Sequence, residues 1–240
     1  MQADIEVLTS LRCHPCTVIT ALTTQDTRDV GRVLPQRKED FLEQARWVLA
    51  DMPVAAVKIG LLGSSEIAEA VAGLLRELPA LPVVLDPVLA AGGGRELARE
   101  DLIAAIRSEL LPLTAVLTPN IPEARTLAGG LENIFDCAEA LRQLGCRHVL
   151  ITGTHDGQSG RVVNRLYGSE GSETWEWERL PHSYHGSGCT LAAALAGFLA
   201  LGKDMRVAAE LAQRYTWEAL RDGWALGHGQ HLPNRQRRHD

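Results

Sequence analysis

The chain has 240 residues, of which 45% are hydrophobic and only 5% aromatic, and it carries a formal net charge of −6. A core built from Ala, Val, Leu and Ile is typical of a sheet buried on both faces, and the length fits one α/β domain over residues 1–240. The acidic balance argues against nucleic acid as a partner, and neither a signal peptide nor an uncharged run of ~20 residues indicates a membrane or export. We therefore expect a cytoplasmic protein that handles small molecules.

Helical and strand-like patterns alternate along the first two thirds of the chain. Amphipathic periods of 3.6 residues predict helices, and short apolar runs bounded by Gly or Pro predict strands. The predicted helices are 3–11, 38–52, 64–78, 99–112 and 135–145, and the predicted strands are 17–22, 54–62, 81–88, 114–120 and 147–153. Alternating units of this kind form right-handed crossovers and a mainly parallel sheet.

The pattern changes after residue 160. Residues 161–168 and 173–180 alternate apolar and polar side chains around a Gly/Ser-rich turn, which predicts an antiparallel hairpin at the sheet edge. An Ala-rich helix and a last long helix over 204–224 follow. The predicted fold class is therefore α/β, a three-layer α/β/α sandwich with a mainly parallel central sheet and an antiparallel edge hairpin.

The stretch HGSGCT, from His185 to Thr190, sets two glycines and a cysteine directly before the Ala-rich helix. A glycine turn that opens a helix presents backbone N–H groups and the positive end of the helix dipole to an anion. Cys189 would lie among these donors, where its pKa is expected to fall and a thiolate could accept a proton from a substrate hydroxyl. From the turn alone, a catalytic Cys189 and a merely buried small Cys189 are about equally supported.

Cys13 and Cys16 have the C-x-x-C spacing of zinc and redox sites. No second ligand pair accompanies them, and they precede a predicted strand instead of opening a helix. We interpret them as small apolar side chains. The five cysteines of the chain are expected to be free thiols in a reducing compartment.

Polar residues follow several of the predicted strands. Asp86 ends one strand, Asn120 and Glu123 follow the next, and Thr152 ends another. Ligands of a parallel sheet bind beyond the carboxyl ends of its strands, so these side chains should meet the glycine turn at one edge. Each alone also fits ordinary turn chemistry, and a turn explains Asp86 by itself as well as catalysis does.

Six motifs, in this order and spacing, resemble one known family. They are TVITALTTQDT, VKIGLLG, VVLDPV, TPNIPEA, GSGCT before an Ala-rich helix, and the C-terminal GHGQ. The set resembles the hydroxymethylpyrimidine and phosphomethylpyrimidine kinases of thiamine biosynthesis, a branch of the ribokinase-like superfamily, from Gln2 to about residue 230. The resemblance implies a homodimer that uses ATP and Mg²⁺ to phosphorylate 4-amino-5-hydroxymethyl-2-methylpyrimidine and then its monophosphate.

The resemblance also implies roles in phosphoryl transfer, carried over at positions that match the family's motifs. Cys189 is the expected catalytic base, and Gly186 and Gly188 are expected to form the anion hole. In this reading the N-x-x-E motif of Asn120 and Glu123 organises Mg²⁺ and the nucleotide phosphates. Asp86 matches a strand-end acid close to the metal and the substrate.

The pyrimidine pocket follows from the same resemblance. Gln25 matches the glutamine that hydrogen-bonds the pyrimidine, and Asp4 matches the acid near the substrate's phosphate-bearing arm. Leu61 and Val88 match the apolar walls of the slot. An amide such as that of Gln25 can both donate to and accept from an aminopyrimidine.

The chain departs from the family pattern at three places. The family begins with a strand and a turn of the form AGSDxSGGAGIQAD, whereas this chain begins MQAD, so we expect that strand to be missing and the natural start to lie upstream. Thr152 replaces a common Lys; we assign Thr152 to the nucleotide phosphates and expect further contacts from Arg95. The three glycines of the loop around Arg95, AAGGGRE, suit a mobile lid or an anion contact, but a plain flexible connection explains them at least as well. Beyond the resemblance, 231–240 is expected to be a disordered tail.

Two other functions stay open. A pyridoxal-type kinase shares the cysteine turn. A chain without its first strand could instead bind the pyrimidine without transferring phosphate.

Overall fold

A six-stranded mixed sheet forms the centre of the computed structural model, which describes residues 1–90, 97–155 and 160–236. The strands are β1 (Ala21–Gln25), β2 (Val30–Pro35), β3 (Val57–Ile59), β4 (Val83–Leu85), β5 (Val116–Leu117), β6 (His148–Ile151), β7 (Arg161–Gly168) and β8 (Gly171–Glu178). The last six form the sheet in the order β3-β4-β5-β6-β7-β8. Strands β3 to β6 are parallel, and the antiparallel hairpin β7–β8 completes one edge, as predicted.

Eight α-helices are described. They are α1 (Gln2–Ser10), α2 (Lys38–Asp51), α3 (Ser65–Arg76), α4 (Glu100–Ala105), α5 (Ile121–Leu127), α6 (Ile134–Gln143), α7 (Ser187–Ala200) and α8 (Met205–Arg221). Helix α4 continues into a π-helical turn over Ile106–Leu110 and a 3₁₀ turn over Leu111–Leu113, and a further 3₁₀ turn spans Gly153–His155. Within the described ranges, no helix has both the length and the apolar character needed to cross a bilayer.

Successive strand residues enter two separate apolar layers, because side chains alternate across a strand. On one face, Leu85 and Leu117 join a core that includes buried residues of α2 to α6. On the other face, Val84 and Val116 join a core formed with α1, α7 and α8. The three-layer α/β/α sandwich predicted from the sequence is therefore confirmed.

The segment before β3 differs from the prediction. Residues 17–22 were expected to form a strand of the main sheet, but β1 begins at Ala21 and pairs antiparallel with β2 in a separate two-stranded sheet. Val30 is the buried residue of this hairpin, and the other residues are half-buried or exposed. Because the hairpin buries so little, it lacks the apolar run from which a strand such as β2 could be predicted.

Residues 231–236 also differ from the expected tail, because they pack against the domain. Trp224 and Leu232 exchange backbone hydrogen bonds of 2.8 and 2.9 Å, and His231 N donates to Ser183 O at 2.9 Å. Arg235 is buried. This segment therefore belongs to the folded domain and borders the glycine turn.

Candidate functional site

The residues assigned to the site converge beyond the carboxyl ends of the parallel strands, where a cavity of about 1780 Å³ opens. This cavity is lined by all eleven of them: Asp4, Gln25, Leu61, Asp86, Val88, Asn120, Glu123, Thr152, Gly186, Gly188 and Cys189. It also passes along β3, at the edge of the sheet, between the two helical layers. The fold thus brings together residues that lie up to 185 positions apart in the chain, between Asp4 and Cys189.

The glycine turn has the geometry that an anion site requires. Gly186 caps α7 with φ of 78°, in the left-handed region that glycine adopts without steric cost. A Cβ on Gly186 would lie 2.7 Å from Arg235 Nη2, so a side chain at this position would displace the buried guanidinium. Ser187, Gly188 and Cys189 form the first turn of α7, where backbone N–H groups have no acceptor within the helix, and all three line the cavity.

A charged cluster lies beside this turn. The Cys189 thiol lies beside the Asp86 carboxylate, so that each affects the pKa of the other, and Asp86 Oδ2 is buried without a hydrogen-bond partner among the described residues. Lys58, on β3, lies with its Nζ 2.8 Å from Asp4 Oδ1, and its side chain is only 10% exposed. Glu123 is close enough to Asp86 for their charges to interact, so this part of the cavity holds neighbouring carboxylates that suit a cation.

The expected fall in the pKa of Cys189 is not what the structure indicates. Burial, and then the charge of Asp86, raise the pKa of the thiol to about 12, and Lys58 opposes them only in part. Burial likewise raises the pKa of Asp86, although the ammonium of Lys58 and the neighbouring Cys189 thiol oppose this rise in part. The sequence expectation counted the amides and the helix dipole but not the buried carboxylate beside the thiol.

Lys58 and Asp4 form an ion pair that remains charged. Burial opposes the charge on Lys58, but the charges of Cys189, Asp4 and Asp86 outweigh it and raise its pKa. Burial also opposes ionisation of Asp4, but the Lys58 and Met1 ammonium groups outweigh it and lower the Asp4 pKa. Asp4 therefore contacts Lys58 in the structure, a partner that the sequence analysis did not assign to the site.

Asn120 and Glu123 form a capping box at the start of α5. Asn120 Oδ1 accepts from Glu123 N at 2.9 Å, and Glu123 Oε2 accepts from Asn120 N at 3.0 Å. Glu123 Oε1 accepts from Leu89 N at 3.1 Å, which connects this acid to the segment after Asp86. Burial, and then the Asp86 charge, raise the Glu123 pKa to about 7.

These acids fit a divalent cation that the phosphates of a nucleotide would help to hold. Among the described residues no group of three or more His, Cys, Asp or Glu side chains forms a metal site. Mg²⁺ commonly takes one or two carboxylates, with phosphate and water oxygens as its other ligands. Asp86, with its unpartnered oxygen, and Glu123 meet that requirement.

The residues expected to bind the pyrimidine lie around the cavity on separate segments of the chain. Gln25 is exposed at the end of β1, on the separate hairpin. Thr20 Oγ1 donates to Leu61 O at 2.7 Å, which joins this hairpin to the chain after β3. Val88 has φ of 41°, a conformation that is rare and strained for a β-branched residue and that is commonly found at functional sites.

Thr152 continues the rim beyond β6. It makes an isolated parallel bridge with Asn120, and its N–H donates to Pro119 O at 2.9 Å. Thr152 thereby lies beside the capping box and lines the cavity. Arg95, the other residue expected to contact phosphate, lies outside the described residues.

Sequence reasoning missed three basic residues that line the cavity, Lys58, Arg179 and Arg235. Lys58 lies within the quoted motif VKIGLLG, where a charged residue inside a strand otherwise apolar was a usable signal. Arg235 lies in a basic C-terminal stretch and offered no comparable signal.

The sequence is similar to known proteins over nearly its whole length. The model of the phosphomethylpyrimidine kinase family matches residues 1–234. A hydroxymethylpyrimidine/phosphomethylpyrimidine kinase of Synechococcus elongatus is 38% identical over 236 residues, which cover 96% of this chain and 89% of that protein. A bifunctional thiamine biosynthesis protein of Geobacter sulfurreducens is 37% identical over 95% of this chain, and the chain spans about half (48%) of that protein's length.

Solved structures agree with these sequence matches. Pyridoxal kinase of Staphylococcus aureus, in complex with pyridoxal, superposes with a TM-score of 0.88 at 27% identity, over 98% of this chain and 87% of that one. The same kinase has been solved with ADP, with a TM-score of 0.89. Phosphomethylpyrimidine kinase of Clostridium difficile superposes with a TM-score of 0.79 at 32% identity, over 91% of each chain.

Proposed function

Because the chain belongs to the phosphomethylpyrimidine kinase family, we propose that it phosphorylates 4-amino-5-hydroxymethyl-2-methylpyrimidine and then its monophosphate, with ATP and Mg²⁺. The observation that carries the proposal is the placement of Cys189, in the first turn of α7, in the same cavity as Asp86, Asn120 and Glu123. This arrangement sets a proton acceptor beside an anion site and two metal-binding carboxylates.

In the proposed reaction, Cys189 first loses its own proton to solvent, and the resulting thiolate accepts the proton of the substrate hydroxyl. The hydroxyl oxygen then bonds to the γ-phosphorus, and the bond from phosphorus to the leaving oxygen of ADP breaks. The first-turn amides of α7, beginning at Ser187, stabilise charge on the transferred group as it passes. Mg²⁺ held by Asp86 and Glu123 would neutralise the negative charge that opposes ionisation of the thiol.

The remaining residues would orient the two substrates. Gln25 pairs with the aminopyrimidine edge, between apolar walls formed by Leu61 and Val88. Asp4, through its ion pair with Lys58, fixes an ammonium beside the reacting hydroxymethyl arm. The Thr152 hydroxyl donates a hydrogen bond to a nucleotide phosphate. A homodimer and a cytoplasmic location complete the proposal, and they rest on the family resemblance and the composition alone.

A second candidate is a pyridoxal-type kinase. The TM-score of 0.88 to a pyridoxal kinase exceeds the 0.79 to a phosphomethylpyrimidine kinase, although the latter is more similar in sequence. Overall superposition reports the backbone and not the pocket, so we rank this activity second.

The test is ADP release by the purified chain with ATP and Mg²⁺, when hydroxymethylpyrimidine, its monophosphate or pyridoxal is supplied separately. We expect turnover on both pyrimidines and at least 10-fold lower kcat/KM on pyridoxal, a difference of about 1.4 kcal/mol. Preferential turnover on pyridoxal would instead support the second candidate. If the pyrimidine raises the melting temperature but no substrate leads to ADP release, the chain is a pyrimidine-binding protein and not a kinase.

A further inference from the structure

The C-terminal segment 224–236 contacts two parts of the proposed active site. His185 N donates to His231 O at 2.9 Å, so the segment lies along the chain that enters the glycine turn. On its other side, Gln230 N donates to Thr27 O at 2.7 Å, in the loop between β1 and β2. The segment thus connects the glycine turn with the hairpin that carries Gln25.

Arg235 is the residue through which this segment contacts the glycine turn itself. Its Nε donates to Thr190 Oγ1 at 2.7 Å, its Nη1 donates to Glu6 Oε2 at 3.0 Å, and its Nη2 donates to Gly186 O at 3.5 Å. The side chain is only 9% exposed. A buried guanidinium is costly unless its donors are paired, and the planar fork of Arg suits several acceptors at once.

Arg235 and Thr190 together hold the direction of one peptide group. Gly186 O accepts from Thr190 N at 3.0 Å and from Thr190 Oγ1 at 2.8 Å, as well as from Arg235. The carbonyl of Gly186 and the N–H of Ser187 belong to the same planar trans peptide, so they point in opposite directions. Donors that hold the carbonyl towards Thr190 and Arg235 therefore aim the Ser187 N–H in the opposite direction, out of the N-terminal end of α7.

We propose that Arg235 is a positioning residue for phosphoryl transfer, because it orients the Gly186–Ser187 peptide of the anion site through Gly186 O and Thr190. Its backbone is itself anchored, since Tyr215 Oη donates to Arg235 O at 2.7 Å and also bonds Ser10 Oγ at 2.8 Å. Arg235 touches no reacting atom in this scheme. The inference rests on the proposed function, since it concerns the same anion site.

The first experiment compares Arg235→Met, Arg235→Lys and the control Arg214→Met. Arg214 pairs with Glu210 on the exposed side of α8, so its replacement removes an Arg ion pair without reaching the cavity. We expect Arg235→Met to lower kcat by about 10- to 100-fold, while KM for both substrates changes less than about 3-fold. The reason is that a misdirected amide weakens stabilisation of the transition state more than binding of the substrates. Arg235→Lys should recover part of kcat, and Arg214→Met should match the wild type.

A purely structural role gives a different result. If Arg235→Met lowers the melting temperature but keeps wild-type kcat well below that temperature, the proposal is overturned. Thr190→Val provides a second route if Arg235→Met does not fold. It should lower kcat with KM maintained, Thr190→Ser should restore kcat, and full activity of Thr190→Val would contradict the proposed contact. Where both single variants fold, the double variant should lose less than the product of the single losses.

Hydrogen exchange separates this inference from the kinase proposal. The Thr190 amide donates to Gly186 O, so its exchange reports the state of the turn without any substrate. We expect about 10-fold faster exchange at Thr190 in Arg235→Met, with unchanged exchange in β4 and β5. If the wild type has no kinase activity, the proposed function fails and exchange alone decides the role of Arg235; unchanged exchange at Thr190 overturns it.

Discussion

At the scale of single residues, opposing charges decide what the cavity can do. Cys189 lies at a helix start, which favours a thiolate, but burial and the Asp86 carboxylate raise its pKa to about 12. The ammonium of Lys58 offsets only part of that effect. In the proposed mechanism, the thiol becomes a useful base only when further positive charge reaches Asp86, so that ionisation of Cys189 would be coupled to the binding of metal and nucleotide.

Replacement of Cys189 tests this reading. We expect Cys189→Ala to lower kcat by about 10²- to 10⁴-fold, the usual contribution of a general base, while KM for ATP changes little. Steady-state kinetics on the pyrimidine measures both constants. Cys137→Ala, which removes a thiol of α6 that does not line the cavity, is the control. Wild-type turnover by Cys189→Ala would remove the thiol from the mechanism.

At the scale of elements, local side chains decide where several helices begin. Ser64 Oγ accepts from Ile67 N at 3.3 Å before α3, in the manner of a helix N-cap. Asn133 Oδ1 accepts from Phe135 N at 2.8 Å and from Asp136 N at 3.3 Å before α6. Such caps are readable in the sequence because the interacting groups are two or three residues apart.

The cap of α6 lies away from the cavity and gives a clean stability test. Asn133→Ala leaves two first-turn amides without their acceptor, so we expect it to lower the free energy of unfolding by about 1 kcal/mol. Urea denaturation measures the loss, and Asn133→Ser should retain most of the stability. The kcat and KM of the kinase reaction should not change. A large fall in kcat for Asn133→Ala would contradict the independence of the site from the start of α6.

At the scale of the whole molecule, the sheet separates two apolar cores. Ile106 lies fully buried in the core that includes α2 to α6, and Leu195 lies fully buried in the core of α1, α7 and α8. The strands between them belong to both cores, since Leu85 faces one and Val84 the other. The two cores should therefore unfold together, although their side chains do not pack against each other.

Two core substitutions test this organisation. Ile106→Val should cost about 0.5–1.5 kcal/mol of unfolding free energy, and Leu195→Ala about 2–5 kcal/mol, because each leaves a cavity in a closely packed layer. In the double variant the costs should add to within about 0.5 kcal/mol, and a single transition should remain. Urea unfolding followed by fluorescence and circular dichroism checks both. Two separate transitions would contradict a shared sheet.

The sequence by itself determined the features that depend on neighbours in the chain. The alternating periods predicted the parallel strands, the β7–β8 hairpin and most of the helices, since an apolar face repeats at a spacing set by the element. The glycine turn and the strand-end residues predicted the edge at which the cavity lies, because the carboxyl ends of parallel strands share one edge. The order of the motifs also indicated the family.

The tertiary structure decided what depends on contacts between distant residues. The hairpin β1–β2 buries little of its own surface and could not be recognised from periodicity, and Arg235 reaches Gly186 only after the chain has returned along α8. The pKa of Cys189 was predicted in the wrong direction, because it depends on Asp86 and Lys58, which lie 103 and 131 residues away in the chain. Electrostatic energy depends on distance in space and on burial, and neither follows from local sequence.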